Sequence, residues 1–179
     1  KHLIEKAKYR RWVKINQITD NMRQRMRIEV GSFAQTPLIS IVLPVYDVEE
    51  KWLRLCIESV RKQIYENWEL CVADDCSPSL HIRHILEEYA KNDTRIKVVF
   101  RIENGHISAA SNSALDLATG EFCVLLDHDD ELSEDALFYV VRELNEFTDT
   151  KMIYSDEDLI SAKGRRFEPK FKPDFSRDL

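Results

Sequence analysis

The stretch Leu125–Asp135, "LLDHDDELSED", places six carboxylates within eleven residues, directly after an apolar run. Carboxylates packed this closely repel one another unless a cation or solvent separates them. Asp127 and Asp129 form an Asp-x-Asp pair at the end of a predicted strand, and hard oxygen ligands of this kind suit Mg²⁺ or Mn²⁺. Because alternate residues of a strand point to the same side, we expect both carboxylates to face one ion and His128 to point away.

The other acids of this stretch fit different roles. Glu134 and Asp135 are expected in the first turn of the following helix, where negative charge complements the helix dipole. Asp130 and Glu131 fit two roles. They either support the metal ligands from behind or lie on a solvated surface. The density of charge therefore predicts a metal site next to a helix start rather than one large acidic feature.

Polar residues also follow two other predicted strands. The first ends in "PVYD" (Pro44–Asp47) and the second in "ADDCS" (Ala73–Ser77). In an open α/β sheet, ligands bind outside the carboxyl ends of the strands. Acids from three such ends would give a strongly negative cleft, which favours a divalent cation together with a diphosphate.

The segments around these motifs alternate between strand and helix patterns. Such alternation predicts βαβ units, and hence a mainly parallel sheet with helices on both faces. Cys71 and Cys123 lie in apolar runs typical of buried strands. An Asp47-x-x-Glu50 signal opens the first of these helices, Gly120 closes the third and Ser133 caps the fourth. The predicted strands are 38–46, 68–75, 95–100, 121–126 and 151–155. The predicted helices are 47–63, 106–120 and 134–147, together with one that follows a turn within 77–92.

The N-terminal part differs from the rest in charge and pattern. Residues 1–36 hold nine Lys or Arg and three acids, whereas the other 143 residues hold 17 bases and 29 acids. Apolar spacing predicts one helix over 1–30, and "GSFAQTP" (31–37) reads as a linker. We therefore expect a helical arm at 1–36 and one domain at 37–179. The arm either packs on protein or gives peripheral association with a membrane surface, and the acidic domain argues against nucleic-acid binding.

Several function classes lack their sequence signals. There is no G-x-x-x-x-G-K-[ST] loop, no G-x-G-x-x-G after a strand and no G-x-S-x-G elbow. No apolar run reaches the ~18 residues that span a bilayer. Without a recognisable signal peptide, we expect a reducing cytoplasmic location, at the inner face of the cytoplasmic membrane if the basic arm binds lipid.

Four motifs in order carry a family resemblance: "ISIVLPVYD", "VADDCS", "ENGHISAASNSALDLATGEF" and "LLDHDDELSEDAL". They resemble the family 2 glycosyltransferases, inverting enzymes with a GT-A fold, and especially the bacterial branch that builds O-antigen and related surface polysaccharides. "SDED" (155–158) and "FKPDFSRDL" (171–179) also have counterparts there. The resemblance implies an α/β, Rossmann-like GT-A domain, a UDP- or dTDP-sugar donor, a Mn²⁺ or Mg²⁺ cofactor, and a glycan or lipid-linked glycan acceptor.

The resemblance also implies roles for individual residues. Asp129 matches the direct metal ligand, and Asp127 lies nearer the ribose and the bridging waters. Asp75 matches the aspartate that hydrogen-bonds the pyrimidine, and Asp47 lies near the ribose. The residues that cradle the base or approach the nucleotide closely are Pro44, Val45, Tyr46, Asn104, Gly105, Ser108, Ala109 and Asn112.

The catalytic base is the least defined part of this resemblance. In the family it lies downstream of a segment like "FKPDFSRDL", so we expect it beyond Leu179, with Asp156, Glu157 and Asp158 as weaker candidates. The chain then resembles an N-terminal fragment that binds donor and metal without efficient transfer. Two alternatives remain: a non-catalytic nucleotide-sugar-binding module, and a phosphotransferase of the HAD type, which also uses Asp-x-Asp after a strand.

Overall fold

The computed structural model describes residues 2–173, which form two compact units. Met26–Thr148 make up the larger unit, and the described residues up to Arg25 and from Asp149 onward make up the smaller unit. Among the helices within 2–173, none combines the length and apolar character needed to cross a bilayer. The elements are α1 (His2–Ile15), α2 (Asp20–Val30), β1 (Ile39–Val45), α3 (Glu50–Arg61), β2 (Trp68–Asp74), α4 (Leu80–Asn92), β3 (Ile96–Phe100), α5 (His106–Leu115), β4 (Phe122–Leu125), α6 (Ala136–Glu146), β5 (Glu157–Ile160) and β6 (Arg166–Lys170).

The larger unit is built on a four-stranded parallel sheet of order β3-β2-β1-β4. Every residue of β1 and β2 is buried, as expected for central strands covered on both faces. The sheet confirms the predicted α/β class with a mainly parallel sheet. The main core joins alternate residues of β1, such as Ile41 and Leu43, with apolar side chains of α3, α4 and α6.

The opposite face of the sheet is covered by α5, which packs on β1, β2 and β3. Ala114 is fully buried against Val42 of β1 and Ala73 of β2. Small side chains on both elements let the helix lie close to the sheet. This brings the N-terminal end of α5 to the carboxyl ends of the central strands.

The N-terminal helix prediction is wrong in one respect, because residues 2–30 contain two helices rather than one. The Asn16 side chain donates to the carbonyl of Trp12 at 2.8 Å and so ends α1. Thr19 then caps α2, since its hydroxyl accepts a hydrogen bond from Met22 N at 3.3 Å. Polar side chains that satisfy free backbone groups favour a break at this point.

Two predicted helix boundaries in the larger unit are also wrong. Helix α3 begins at Glu50, and Asp47 does not cap it, because Asp47 has a φ of 42° and accepts a hydrogen bond from the Ser79 hydroxyl. Helix α5 ends at Leu115 instead of at Gly120. Gly120 lies against β1, where an added Cβ would be 2.7 Å from the Ser40 hydroxyl.

The start of α6 differs from the prediction as well. The helix begins at Ala136, so Glu134 and Asp135 precede its first turn. Ser133 contributes its backbone carbonyl, which accepts from Ala136 N at 3.0 Å. The next amide, Leu137 N, is satisfied by Gln63 Oε1 at 3.0 Å, so a residue of the α3 end performs the capping expected of Ser133.

The predicted strand at 151–155 is wrong, because these residues have no regular structure. The fifth strand is instead β5, at Glu157–Ile160. It pairs antiparallel with β6, a strand that the sequence patterns did not predict. Asp158 and Arg166 form an ion pair of 2.6 Å in this hairpin, and Tyr9 of α1 donates to the same carboxylate. Cys123 is exposed rather than buried, because β4 is an edge strand of the described sheet.

Candidate functional site

A pocket of about 610 Å³ opens at the carboxyl ends of the strands in the larger unit. Its walls come from the segments after β1, β2 and β4 and from the first turns of α5. This is the edge where the sequence motifs predicted a ligand. The lining residues are Pro44, Val45, Tyr46, Asp75, Asn104, His106, Ile107, Ala110, Asp127, His128 and Asp129.

Seven of the twelve residues proposed for the donor and metal site line this pocket, and five do not. On α5 the lining face carries His106, Ile107 and Ala110, whereas Ser108 and Asn112 lie on a different face of the same helix. The buried small residues at 110 and 114, four apart, mark the helix face that meets the sheet and could have indicated this orientation. The lining members are Pro44, Val45, Tyr46, Asp75, Asn104, Asp127 and Asp129; the others are Asp47, Gly105, Ser108, Ala109 and Asn112.

The segments after β1 and β2 are tied together at the pocket. Asp75 N donates to Val45 O at 2.8 Å, which extends the strand pairing by one residue. Asp47 N donates to the Ser77 hydroxyl at 2.9 Å, and the Asp47 carboxylate accepts from Ser79. Asp47 therefore holds two loops together, and this restraint explains how a non-glycine residue keeps a φ of 42°.

Asp75 is buried at the floor of the pocket and bound by two groups. Its Oδ1 accepts from Arg101 Nε at 2.7 Å and from Gly105 N at 3.0 Å. Arg101 also donates from Nη1 to the Ser113 hydroxyl at 2.6 Å and to Ala109 O at 3.2 Å. A carboxylate has about four acceptor positions, so Asp75 keeps capacity for a donor in the pocket.

The sequence patterns did not identify Arg101 as a site residue. Its contacts explain why residue 105 is a glycine. A Cβ on Gly105 would lie 2.5 Å from Arg101 Nη2 and 2.7 Å from Ala109 Cβ. Gly105 is thus required by the close packing of Arg101 and α5. A basic residue directly after the partly buried strand β3, across from an acid after the neighbouring strand, was the available signal.

The Asp-x-Asp pair lies in a turn and not in a continued strand. Asp130 N donates to Asp127 O at 3.1 Å, which closes the turn directly after β4. Strand alternation therefore does not apply, and His128 lines the pocket together with Asp127 and Asp129. The strand alternation from which His128 was expected to point away is therefore absent here. Its Nδ1 lies 3.2 Å from Pro44 O, which links the turn to the end of β1.

The Cys56 thiol of α3 lies behind this turn, with its Sγ 3.5 Å from Asp127 O. Burial raises the pKa of Cys56 well above its usual range, and the negative charges of Asp130 and Asp129 raise it further. The thiol is therefore neutral and acts as a weak donor to the backbone rather than as a nucleophile.

The pocket offers two carboxylates for a cation. Within 2–173, no group of three or more His, Cys, Asp or Glu side chains is arranged to hold a metal ion alone. Mg²⁺ in particular is commonly bound through one or two carboxylates, with waters and substrate phosphates completing its shell. Asp127 and Asp129 fit a cation of that kind, bound together with a phosphorylated ligand.

The three acids of "SDED" are engaged within the smaller unit. Asp156 accepts from Lys172 N at 2.8 Å. Glu157 pairs with Lys170 at 2.9 Å and Lys172 at 3.1 Å, and the hydrogen bonds from these lysines lower the pKa of Glu157.

Asp158, the third of these acids, is bound by the hydroxyl of Tyr9 in addition to Arg166. Burial and the hydrogen bond to Asp158 raise the pKa of Tyr9 to about 12. None of the three carboxylates belongs to the lining of the pocket.

Two curated relatives cover most of this chain. The uncharacterised protein y4gI of Sinorhizobium fredii is 52% identical over 143 residues, which is 80% of this chain and 16% of that protein. The O-antigen biosynthesis protein RfbC of Myxococcus xanthus is 38% identical over 150 residues, 84% of this chain and 12% of that protein. The chain therefore spans 16% or less of the length of these relatives.

Solved structures share the fold of the chain. The crystal structure of S. aureus TarS 1-349 matches with a TM-score of 0.56 and 28% identity, covering 62% of this chain and 33% of that one. TarS 1-349 in complex with UDP-GlcNAc gives the same TM-score and identity. These matches confirm the predicted GT-A fold. The sequence profile named Glycosyl transferase family 2 matches residues 40–175, most of the chain. The chain belongs to this family of glycosyltransferases.

Proposed function

We propose that this chain binds the donor in a metal-dependent glycosyltransferase, which moves a sugar from a UDP- or dTDP-sugar to a glycan acceptor in bacterial surface polysaccharide synthesis. One observation carries the proposal. A single pocket brings the buried Asp75 carboxylate together with the exposed pair Asp127 and Asp129. Such a pocket can recognise a base at one end and a charged diphosphate at the other.

The base lies against the end of β1, where Pro44, Val45 and Tyr46 line the pocket. The Asp75 carboxylate accepts the N–H of the pyrimidine, and Asp47 lies near the ribose. A uridine or thymidine ring presents that N–H donor, whereas a cytidine ring does not. The segment after β3 and the start of α5 approach the nucleotide through Asn104, His106 and Ile107, which line the pocket, whereas Gly105, Ser108 and Asn112 do not.

Asp129 would hold Mn²⁺ or Mg²⁺ directly, and Asp127 would lie beside it toward the ribose. When bound, the cation neutralises charge that develops on the diphosphate leaving group. Asp127 and Asp129 both line the pocket, and from there they orient the donor. His128 lies between them and holds the turn against Pro44.

The acceptor is a glycan or a lipid-linked glycan, and an acidic residue takes the proton from its attacking hydroxyl. We do not assign this base to the described carboxylates of "SDED", because each of them is held by a cation, a backbone amide or a tyrosine hydroxyl. The same observation favours the second candidate, a donor-binding module without transfer activity. Membership of a glycosyltransferase family leaves the phosphotransferase alternative without support.

Helix α1 supplies a peripheral membrane contact at the inner face of the cytoplasmic membrane. Arg11, Lys14 and Trp12 are exposed on it, and basic residues with an interfacial aromatic suit anionic lipid headgroups. Sedimentation with vesicles of phosphatidylglycerol tests this part. Binding that survives the change of Arg11 and Lys14 to Gln would overturn it.

Titration calorimetry with UDP and Mn²⁺ tests the donor site. We expect UDP binding that strengthens when Mn²⁺ is present, and loss of this strengthening in Asp129→Ala. Asp116→Ala is the matched control, because Asp116 is an exposed acid at the other end of α5. Absent UDP binding, or equal metal dependence in Asp129→Ala and the wild type, would overturn the proposal. Incubation with a UDP-sugar and a glycan primer distinguishes the two candidates. A glycosylated product would indicate the transferase, and donor binding without product would indicate the binding module.

A further inference from the structure

Three side chains on the buried side of α3 and the residues after it contact the backbone that follows β4. We call residues 127–137 the acid loop. Cys56 contacts its first residue through Asp127 O, as described above. Ser59, three residues later, accepts from Leu132 N at 3.0 Å. Gln63, four residues further on, contacts Ser133 and Leu137 at the end of the loop. The three side chains thus meet the beginning, middle and end of the acid loop in order.

Gln63 is only 3% exposed, and its side chain forms hydrogen bonds with backbone groups. Its Nε2 donates to Ser133 O at 2.7 Å and to Ser59 O at 3.1 Å. Its Oε1 accepts from Leu137 N at 3.0 Å. An apolar side chain of equal size would fill the same space and leave buried backbone groups unsatisfied, at a cost of about 1–3 kcal/mol each. The buried amide of Gln63 therefore holds the acid loop through hydrogen bonds, in addition to filling space in the core.

Backbone contacts complete the attachment. Leu126 N donates to Val42 O at 3.1 Å and ties the start of the loop to β1. Ile64 N donates to Glu134 O at 2.8 Å and ties its end to the segment after α3. The loop is therefore held along its length on the side of α3, while the side chains of Asp127 and Asp129 line the pocket.

We propose that Ser59 and Gln63 are positioning residues that hold Asp127 and Asp129 toward one cation before the cation binds. The inference rests on the proposed function, since it concerns the metal site of that function. Two carboxylates repel one another, so a free loop would separate them and binding would have to bring them together. A loop fixed by buried hydrogen bonds avoids that cost, which is the benefit of preorganisation.

Mn²⁺ binding in the presence of UDP, followed by the electron paramagnetic resonance signal of free Mn²⁺, tests the proposal on the 179-residue chain. The variants are Gln63→Met, which conserves volume and removes the hydrogen bonds, and Ser59→Ala. Tyr65→Phe is the matched control, because it removes a buried hydrogen bond of 2.6 Å that the Tyr65 hydroxyl donates to Pro37 O, a residue outside the acid loop. All are measured below the onset of unfolding of the least stable variant.

We expect Gln63→Met and Ser59→Ala to weaken Mn²⁺ binding about tenfold, the lower end of the effect of residues that orient metal ligands. UDP affinity without metal should stay within about twofold of wild type, and so should Mn²⁺ binding by Tyr65→Phe. A purely structural role would lower the melting temperature without changing Mn²⁺ affinity in the folded protein. If Gln63→Met does not fold, Ser59→Ala alone decides.

The possible outcomes are distinguishable. A wild-type chain that binds no Mn²⁺ with UDP overturns the proposed function and this inference together. A wild-type chain that binds Mn²⁺, with variants that bind it equally well, overturns only the positioning role. Equal weakening by Tyr65→Phe also overturns it, because the effect would then follow general stability.

Discussion

Arg101 and Asp75 form a largely buried ion pair at the floor of the pocket, with Arg101 Nε 2.7 Å from Asp75 Oδ1. Their side chains are 19% and 3% exposed. The pair connects the ends of β2 and β3 to α5, because Arg101 also binds Ser113 and Ala109 O. Removing one partner of such a pair leaves a buried charge uncompensated, which costs about 3–5 kcal/mol.

The first prediction concerns Arg101→Lys. A lysine keeps the charge but loses the planar fork that joins Asp75 to Ser113, so the Asp75 carboxylate should lose its fixed orientation. We expect UDP affinity measured by calorimetry without metal to fall about tenfold, equivalent to about 1.4 kcal/mol. Arg83→Lys is the control, because Arg83 stacks on Phe100 beside the same strand end and does not line the pocket. Equal affinity in Arg101→Lys and wild type would contradict a role for this pair in base recognition.

The second prediction concerns Glu69, which lies in the sheet at the end opposite the pocket. Burial alone would raise the pKa of Glu69, but the Lys97 ammonium and hydrogen bonds from Ser40 and Thr119 together lower it from 4.5 to about 2. Lys97 Nζ lies 2.6 Å from Glu69 Oε2, and the Ser40 hydroxyl lies 2.7 Å from Oε1.

A folded-state pKa below the unfolded value means that the ionised carboxylate stabilises the fold above pH 4.5, and that this stabilisation is lost as the pH falls from about 4.5 toward 2. Glu69→Gln should lower the free energy of unfolding at pH 7 on the order of 2 kcal/mol. Urea denaturation of both proteins at pH 7, 5 and 3.5 is the measurement. The difference between them should shrink at the lowest pH, and a constant difference would contradict the assignment.

The third prediction concerns Gly120→Ala. An added Cβ would lie 2.7 Å from the Ser40 hydroxyl and 2.9 Å from Ser40 N, so the backbone of β1 would have to move. We expect a loss of about 3 kcal/mol in unfolding free energy, at the upper end of overpacking effects. Gly164→Ala is the comparison: its φ of 74° makes alanine strained, but open space surrounds it, and the cost should be about 1 kcal/mol. Thermal denaturation that ranks Gly164→Ala as the more harmful change would refute this packing argument.

The fourth prediction separates the smaller unit from donor binding. Glu157→Gln removes the charge that pairs with Lys170 and Lys172. Since Glu157 does not line the pocket, UDP and Mn²⁺ affinities should be unchanged in calorimetry. Asp127→Asn is the positive control and should weaken the metal-dependent part of UDP binding. A loss of UDP affinity in Glu157→Gln would show that the hairpin takes part in the donor site.

The fold class and the location of the pocket could be predicted because they depend on local patterns. The apolar runs of β1 and β2 mark strands buried on both faces, and the acids after them mark the ligand edge. The family resemblance added residue roles that no spacing rule supplies. The predicted bounds of the four strands of the parallel sheet lie within one residue of the observed ones, whereas the prediction failed at 151–155, where the chain is exposed.

Two of the remaining errors arise from contacts between residues distant in sequence, and one arises from a local turn. Leu137 N is satisfied by Gln63, 74 residues earlier, and no local capping rule anticipates that partner. The turn at Asp127–Asp130 breaks the strand alternation on which the expected orientation of His128 depended. Arg101 was missed because its partner Asp75 lies in another loop, and only the parallel sheet brings the two together.

The close approach of α5 to the sheet has a consequence for protein engineering. Ala114 packs under the helix against Val42 and Ala73, while His106, Ile107 and Ala110 of the same helix line the pocket. A bulkier residue at 114 would push α5 away from the sheet. The wall of the pocket that α5 forms would then move, although residue 114 itself does not line the pocket. Variants at position 114 would test whether such a movement changes which nucleotide the proposed donor pocket binds, while every lining side chain stays the same.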